Sequence, residues 1–155
     1  MIALGDLITP DGVMYNLHSP NKRGVLLDLI AQAARISGHD VEPIEDVIFA
    51  REALGSTGFG AGTAIPHGRP ATLSHMVVVI AKLAAPVDYA ALDGLPVDLV
   101  VLMLAPAGAG ADHLRALARI SRALRDREFC DKLRGTSSSD ALYALVAGDA
   151  RREAA

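Results

Sequence analysis

Residues 76–105 read MVVVIAKLAAPVDYAALDGLPVDLVVLMLA, and this run decides the fold class. Its two ends, residues 76–84 and 97–105, are apolar, rich in β-branched side chains and of strand length. Neither alternates apolar with polar residues, which marks strands covered on both faces, as in a sheet sandwiched by helices. The DGLP segment at 93–96 carries turn chemistry between them. On the N-terminal side, residues 19–38 predict a helix in which Ser19 is placed to N-cap, Pro20 suits the first position and Gly38 ends it. Its Val25, Leu26, Leu29, Ile30 and Ala33 recur at helical spacing as one apolar stripe. A second helix is predicted over residues 43–54, with Ile44, Val47 and Ile48 inward and Gly55 as its stop.

On the C-terminal side, residues 112–126 (DHLRALARISRALRD) predict an amphipathic helix with Asp112 at the N-cap. Leu114, Leu117, Ile120, Ser121 and Leu124 line one side of it, and Arg115, Arg119, Arg122 and Arg125 the other. The arginine side reads as a solvated face, with partner docking as the alternative. Residues 138–148 predict a last short helix with a serine N-cap. Helices alternate with strands, so the class is α/β.

The 155 residues are 51% hydrophobic and 21% charged, which excludes an unfolded chain and fits one domain. Net charge is −3, only 4% of residues are aromatic and Trp is absent, so a nucleic-acid binder is not expected. No apolar run approaches the roughly 20 residues of a membrane-spanning helix, and the first twelve residues lack the basic and apolar regions of a signal peptide. A single cysteine, Cys130, permits no internal disulfide and reads as an inert core thiol, so a reducing cytoplasm is expected.

Chemistry concentrates between the second helix and the first long strand. Residues 55–70 carry Gly55, Gly58, Gly60, Gly62 and Gly68 with Pro66 and Pro70, which excludes regular helix. No Gly-Lys-Ser/Thr follows, so this is no Walker A loop. Gly58 and Gly60 are spaced as in a dinucleotide fingerprint, but Thr63 holds the third place and the loop follows a helix rather than a strand. Such a loop can instead aim backbone N–H groups at an anion, with Gly58 and Gly60 allowing close approach and the Ser56 and Thr57 hydroxyls beside them. Arg51 precedes the loop by one turn, and His67 leaves it just after Pro66. A neutral imidazole is a nucleophile at cytoplasmic pH, and Arg and N–H donors stabilise phosphoryl oxygens. Two readings of His67 stand on the residues alone: a phosphoryl-accepting nucleophile, or a surface imidazole in a turn. His113 falls by periodicity on the side of Ile120 and Leu124, as an inward structural histidine would, and its place at the start of a helix disfavours the imidazolium and welcomes an anion. His18, His39 and His75 read as solvated, and no metal-ligand spacing occurs.

The segment REALGSTGFGAGTAIPHGR, residues 51–69, resembles the signature of the fructose/mannitol-type EIIA domains of the bacterial phosphotransferase system. The resemblance continues through PVDYAALDGLPVDLVVLMLAP and DHLRALARISRALRD, and spans about Leu7 to Val146. It implies one domain over residues 1–150, a mixed sheet flanked by helices on both faces, with 151–155 a frayed tail. It places His67 as the phosphorylated histidine, His113 as the second active-site histidine and Arg51 beside the phosphate. Ser56, Thr57, Gly58 and Gly60 are then the phosphate-binding set, and no cofactor or metal is expected. The implied donor is an HPr-type phosphocarrier protein. The recipient is an EIIB domain in a sugar-specific EIIA, or a transporter or kinase whose affinity is switched in a nitrogen-type regulator. The latter is favoured because no EIIB-like cysteine loop and no membrane segment accompany the domain. Cytoplasmic domains of anion transporters share the resemblance but lack the phosphohistidine.

Overall fold

The computed structural model describes residues 4–154, with side chains through 148. A short helix α1 (Leu4–Leu7) and a 3-10 turn (Pro10–Gly12) lead into strand β1 (Val13–Leu17). Helices α2 (Lys22–Ser37) and α3 (Val41–Ala53) follow, then three short strands, β2 (Gly58–Gly60), β3 (Thr63–Ala64) and β4 (His67–Gly68). Two long strands, β5 (Val77–Val87) and β6 (Val97–Leu104), precede helices α4 (Gly110–Arg125), α5 (Arg127–Arg134) and α6 (Ser139–Ala154). The six strands form one mixed sheet in the order β1-β5-β6-β3-β2, with β4 also on β6. β5 and β6 are antiparallel, while β1 on β5 and β3 and β4 on β6 are parallel.

Alternation along β5 and β6 sends successive side chains to opposite faces, and each face meets helices. Val77, Val79, Leu102 and Leu104 pack in one core with Leu26, Ile30, Ile44 and Ile48 of α2 and α3. Val78, Ile80, Val101 and Met103 pack in the other with Ile120 of α4, Leu133 of α5 and Leu142 of α6. The single α/β domain with helices on both faces is therefore as expected.

Several local expectations are corrected. The cap of α2 is Asn21, whose side chain accepts from the Gly24 N–H at 2.8 Å, not Ser19. Its end is as read, with Gly38 in the left-handed region at φ 72°. α4 begins at Gly110, so Asp112 sits inside its first turn and pairs with Arg115 instead of capping. The helix is also rotated from the expected face. Ala116, Ile120, Ala123 and Leu124 point inward and Leu114 is 66% exposed. Arg119, expected in the solvated row, is buried at 5% exposure. The inward stripe runs through Ala116, Ile120, Ala123 and Leu124, so Leu124 keeps its expected side while Leu114 does not. Ser138 does cap α6, accepting from the Ala141 N–H at 3.0 Å. The tail expected at 151–155 falls within α6 as far as Ala154, and its side chains and residue 155 lie outside the described residues.

Strand β1 was not legible in the sequence. It is five residues long and its alternation is broken by Asn16, which adopts φ 57° where the register on β5 shifts. α1 and the separation of α5 from α4 were likewise not assigned. Cys130 lies buried in α5, its thiol donating to the Leu124 carbonyl at 3.3 Å.

Candidate functional site

The free edge of β6 receives β3 and then β4 with one continuous register, Ala64 opposite Val100 and His67 opposite Met103. Between them Pro66 has no N–H to give to the ladder, so the strand pairing breaks there and resumes at His67. The break is bridged by the Pro66 carbonyl, which accepts from the Met103 N–H at 3.0 Å. His67 is thus held by backbone pairing near the C-terminal end of β6, on the edge of a rigid sheet. The chain leaves β6 at Leu104 and re-enters helix at Gly110, which brings the first turn of α4 back over the same spot. The His113 ring in that turn lies 6.0 Å from the His67 ring, centroid to centroid, tilted by 46°.

The tautomer of His67 follows from one hydrogen bond. Its Nδ1 stands 2.8 Å from the Ile65 carbonyl oxygen. A carbonyl oxygen only accepts, so Nδ1 carries the proton and Nε2 keeps its lone pair in the neutral ring. His113 is half-buried, and burial, followed by the charge of Arg69 and then His67, holds its pKa below the usual imidazole value. Its Nδ1 is buried with no hydrogen-bond partner. Arg69 was not singled out in the sequence, although its place two residues beyond His67 on an extended edge was a usable signal.

Arg51 lies in the last turn of α3, and its guanidinium donates to the Gly55 carbonyl at 2.8 Å. Val47, one turn earlier on the same helix face, packs against Gly68, the residue after His67. The face of α3 that carries Arg51 is therefore the face that meets β4.

The glycine-rich loop is held from within. Ser56 donates its hydroxyl to the Tyr89 carbonyl at 3.2 Å and accepts from the Gly58 N–H at 3.1 Å. Thr57 is fully buried, and its hydroxyl donates to the Glu52 carboxylate and lies 3.1 Å from the Tyr89 hydroxyl. The β2–β3 turn passes through Ala61 (φ 54°) and Gly62 (φ 79°), the paired left-handed residues of a tight hairpin. Arg134 clamps this turn from α5, donating to both Asp98 oxygens and to the Ala61 carbonyl at 2.8 Å. Of the expected phosphate-binding groups, then, the Ser56 and Thr57 hydroxyls and the Gly58 N–H are engaged in shaping the loop.

Sequence reasoning missed the carboxylate under the loop. Glu52 has a side chain only 6% exposed, ion-paired to Lys22 at 2.9 Å. It also accepts from the Thr57 N–H at 3.2 Å and the Tyr89 hydroxyl at 3.3 Å. The Lys22 ammonium lies over the Tyr89 ring, 4.4 Å from its centroid. Burial, and next the Glu52 charge, push the Tyr89 phenol well above its ordinary pKa, so it stays a donor. No local pattern joins residues 22, 52, 57 and 89. Among the described residues no three His, Cys, Asp or Glu side chains are grouped to hold a metal ion. No described helix is long and apolar enough to cross a membrane.

The chain matches the family model "Phosphoenolpyruvate-dependent sugar phosphotransferase system, EIIA 2" over residues 6–148. The chain belongs to this family. It is a phosphotransferase-system EIIA domain whose curated relatives include the nitrogen regulatory protein of Bradyrhizobium diazoefficiens. That protein is 44% identical over 142 residues, 92% of this chain and 93% of the relative. Among solved structures, nitrogen regulatory protein IIA-Ntr from Neisseria meningitidis superposes with a TM-score of 0.86 at 28% identity, covering 92% of this chain and 98% of that one. The mannitol enzyme IIA of Escherichia coli, solved in complex with phosphorylated enzyme IIB, is more distant. It has a TM-score of 0.77 and 19% identity over 91% of this chain and 97% of that one. The fructose-specific EIIABC component of Bacillus subtilis, 31% identical over 144 residues, 91% of this chain and 22% of that protein, is further from this chain than the Bradyrhizobium relative.

Proposed function

We propose that this EIIA domain accepts a phosphoryl group on Nε2 of His67 from the phosphohistidine of an HPr-type carrier protein. The observation that carries the reading is the Nδ1–Ile65 hydrogen bond, which leaves Nε2 as the free nucleophile. The lone pair of Nε2 attacks phosphorus as the donor's N–P bond breaks, and the donor imidazole departs with that electron pair. Such transfer asks the protein mainly for positioning and charge stabilisation. The Ile65 carbonyl holds the ring and accepts more strongly from Nδ1–H as the imidazole gains positive character. A phosphoryl group on one ring at the observed 6.0 Å separation comes within reach of the other, so His113 contacts its oxygens. Arg51 exchanges its Gly55 contact for those oxygens, with a planar fork that never loses its charge. Both histidines are half-buried at the surface rather than enclosed, which suits a protein donor.

The domain then acts as a nitrogen-branch regulator in the cytoplasm, its phosphorylation state altering affinity for a transporter or kinase. Passage of phosphate to an EIIB domain is the second reading, suggested by the complex of the mannitol enzyme IIA with phosphorylated enzyme IIB. Incubation with phosphoenolpyruvate, Enzyme I and carrier protein tests the first step. One acid-labile, base-stable phosphate is expected per chain, and none on a folded His67→Ala variant. Undiminished labelling of that variant would remove His67 from the chemistry.

A further inference from the structure

A line of hydrogen bonds joins the buried Glu52 carboxylate to the His67 ring. Glu52 accepts from both the N–H and the hydroxyl of Thr57, so that residue is gripped at two points, and the Tyr89 hydroxyl donates to the same carboxylate. The Thr57 carbonyl in turn accepts from the Ile65 N–H at 3.0 Å. The Ile65 carbonyl accepts from His67 Nδ1 at 2.8 Å. Each link is a short contact between groups whose donor and acceptor roles leave no alternative for the proton. Three elements meet here: Lys22 brings in α2, Glu52 the end of α3, and Tyr89 the segment between β5 and β6.

The arrangement has more than loop stability in it. Ile65 precedes Pro66, where pairing with β6 lapses, so the ladder alone does not hold the Ile65 peptide against the ring. The neighbour that fixes its N–H is Thr57, and the carboxylate fixes Thr57. Burying a carboxylate is costly unless it is paired and hydrogen-bonded, and here Lys22 and three further donors meet that need. A neutral pair of side chains would shape a loop at lower cost. A charged acceptor grips more strongly, because charge-assisted hydrogen bonds are roughly twice as strong as neutral ones.

We propose that Glu52 is a positioning residue for phosphoryl transfer, setting the Nδ1–H tautomer and the orientation of His67 through Thr57 and Ile65. The proposal rests on His67 being the phosphorylated residue. Glu52 does not touch the phosphoryl group. It acts by holding the carbonyl that keeps the proton on Nδ1 and hence the lone pair on Nε2. Lys22 and Tyr89 belong to the same device, one as counter-charge and the other as the second donor that keeps the carboxylate facing Thr57.

The test compares full-length wild type with Glu52→Gln, Thr57→Val, Tyr89→Phe and Thr57→Ser. Ring-nitrogen NMR of His67 in the unphosphorylated proteins reads the tautomer. Initial rates of phosphoryl transfer against donor-carrier concentration separate kcat from KM. Wild type should show the Nδ1–H form, and Thr57→Ser, which keeps the hydroxyl, should regain most of the Nδ1–H form and of the kcat that Thr57→Val loses. Thr57→Val and Glu52→Gln should show a mixture of tautomers and a kcat lower by about tenfold, with KM for the carrier unchanged. Tyr89→Phe should fall between. Should Glu52→Gln fail to fold, Thr57→Val and Tyr89→Phe decide. A folded Thr57→Val protein with an unaltered tautomer or an unaltered kcat would overturn the proposal, as would loss of fold in all three weakened variants. If wild type takes no phosphate while the tautomer still follows Thr57, the transfer reading fails but the positioning of the ring stands.

Discussion

Gly68 offers the sharpest test of how the sheet edge and α3 are fitted around His67. A methyl group placed on Gly68 would stand 2.9 Å from Val47 Cγ2, 3.3 Å from Val47 Cβ and 3.5 Å from Ile48 Cδ1. The first contact is shorter than real Cβ atoms accept, and the Val47 Cβ that also crowds the site is fixed on a helix. Gly68→Ala is therefore expected to push α3 from the sheet and cost about 1–3 kcal/mol, the usual range for overpacking. In a domain of this size that lowers the Tm by roughly 3–9 °C. Because Val47 and Arg51 share a helix face, the same displacement should move Arg51 and slow phosphoryl transfer per folded molecule. Val47→Ala makes room for the added methyl at its own cost of about 1 kcal/mol, set by the methyl groups lost. The double variant should then be more stable than the sum of the two single losses by about 1 kcal/mol or more, the signature of residues in contact. Thermal denaturation of the four proteins and transfer rates on the same preparations read both effects. Losses that add to within about 0.5 kcal/mol would refute the close approach of β4 and α3.

Three further outcomes are expected. Arg51→Lys should slow transfer to His67 and Arg51→Ala should slow it more, by about ten- to a hundredfold for the loss of a charge-assisted hydrogen bond worth roughly 1.5–3 kcal/mol; equal rates in all three proteins would confine Arg51 to its Gly55 contact. The folded-state pKa of His113 is depressed, so the unfolded chain binds the extra proton first, and stability present above the ordinary imidazole pKa is lost as pH falls through it. The Tm of wild type minus that of His113→Gln should shrink between pH about 7.5 and 5.5, and a pH-independent difference would remove the burial argument. Burial raises the Cys130 thiol pKa and hides the sulfur, so iodoacetamide should label it slowly in native protein and rapidly in urea; rapid native labelling would show α5 opening.

By itself the sequence determined the layers and singled out His67 as the candidate nucleophile. Two apolar runs without alternation can only be strands buried on both sides, and Val78 and Val79 indeed face opposite cores. The stripe of α2 and the glycine-rich loop ending in Pro66-His67 are local patterns, because spacing along the chain dictates which side chains share a face and where helix must stop. Strand β1 was hidden, since five residues with a left-handed Asn16 leave too short a period to read. The face of α4 was decided by tertiary packing. Leu114 is exposed and Arg119 buried because the inward stripe runs through Ala116, Ile120, Ala123 and Leu124, the face that packing with α1 and α5 selects. The site shows the same division. His67, His113 and Arg51 stand out as residue types, but only the fold brings the two rings to 6.0 Å and assigns the proton on His67. In the Glu52–Thr57–Tyr89–Lys22 network only the Glu52–Thr57 contact is local, and Lys22 and Tyr89 arrive from two other stretches. Hydrogen bonds between groups so far apart in the chain leave no period, and they become specific only once the sheet and helices fix the distances.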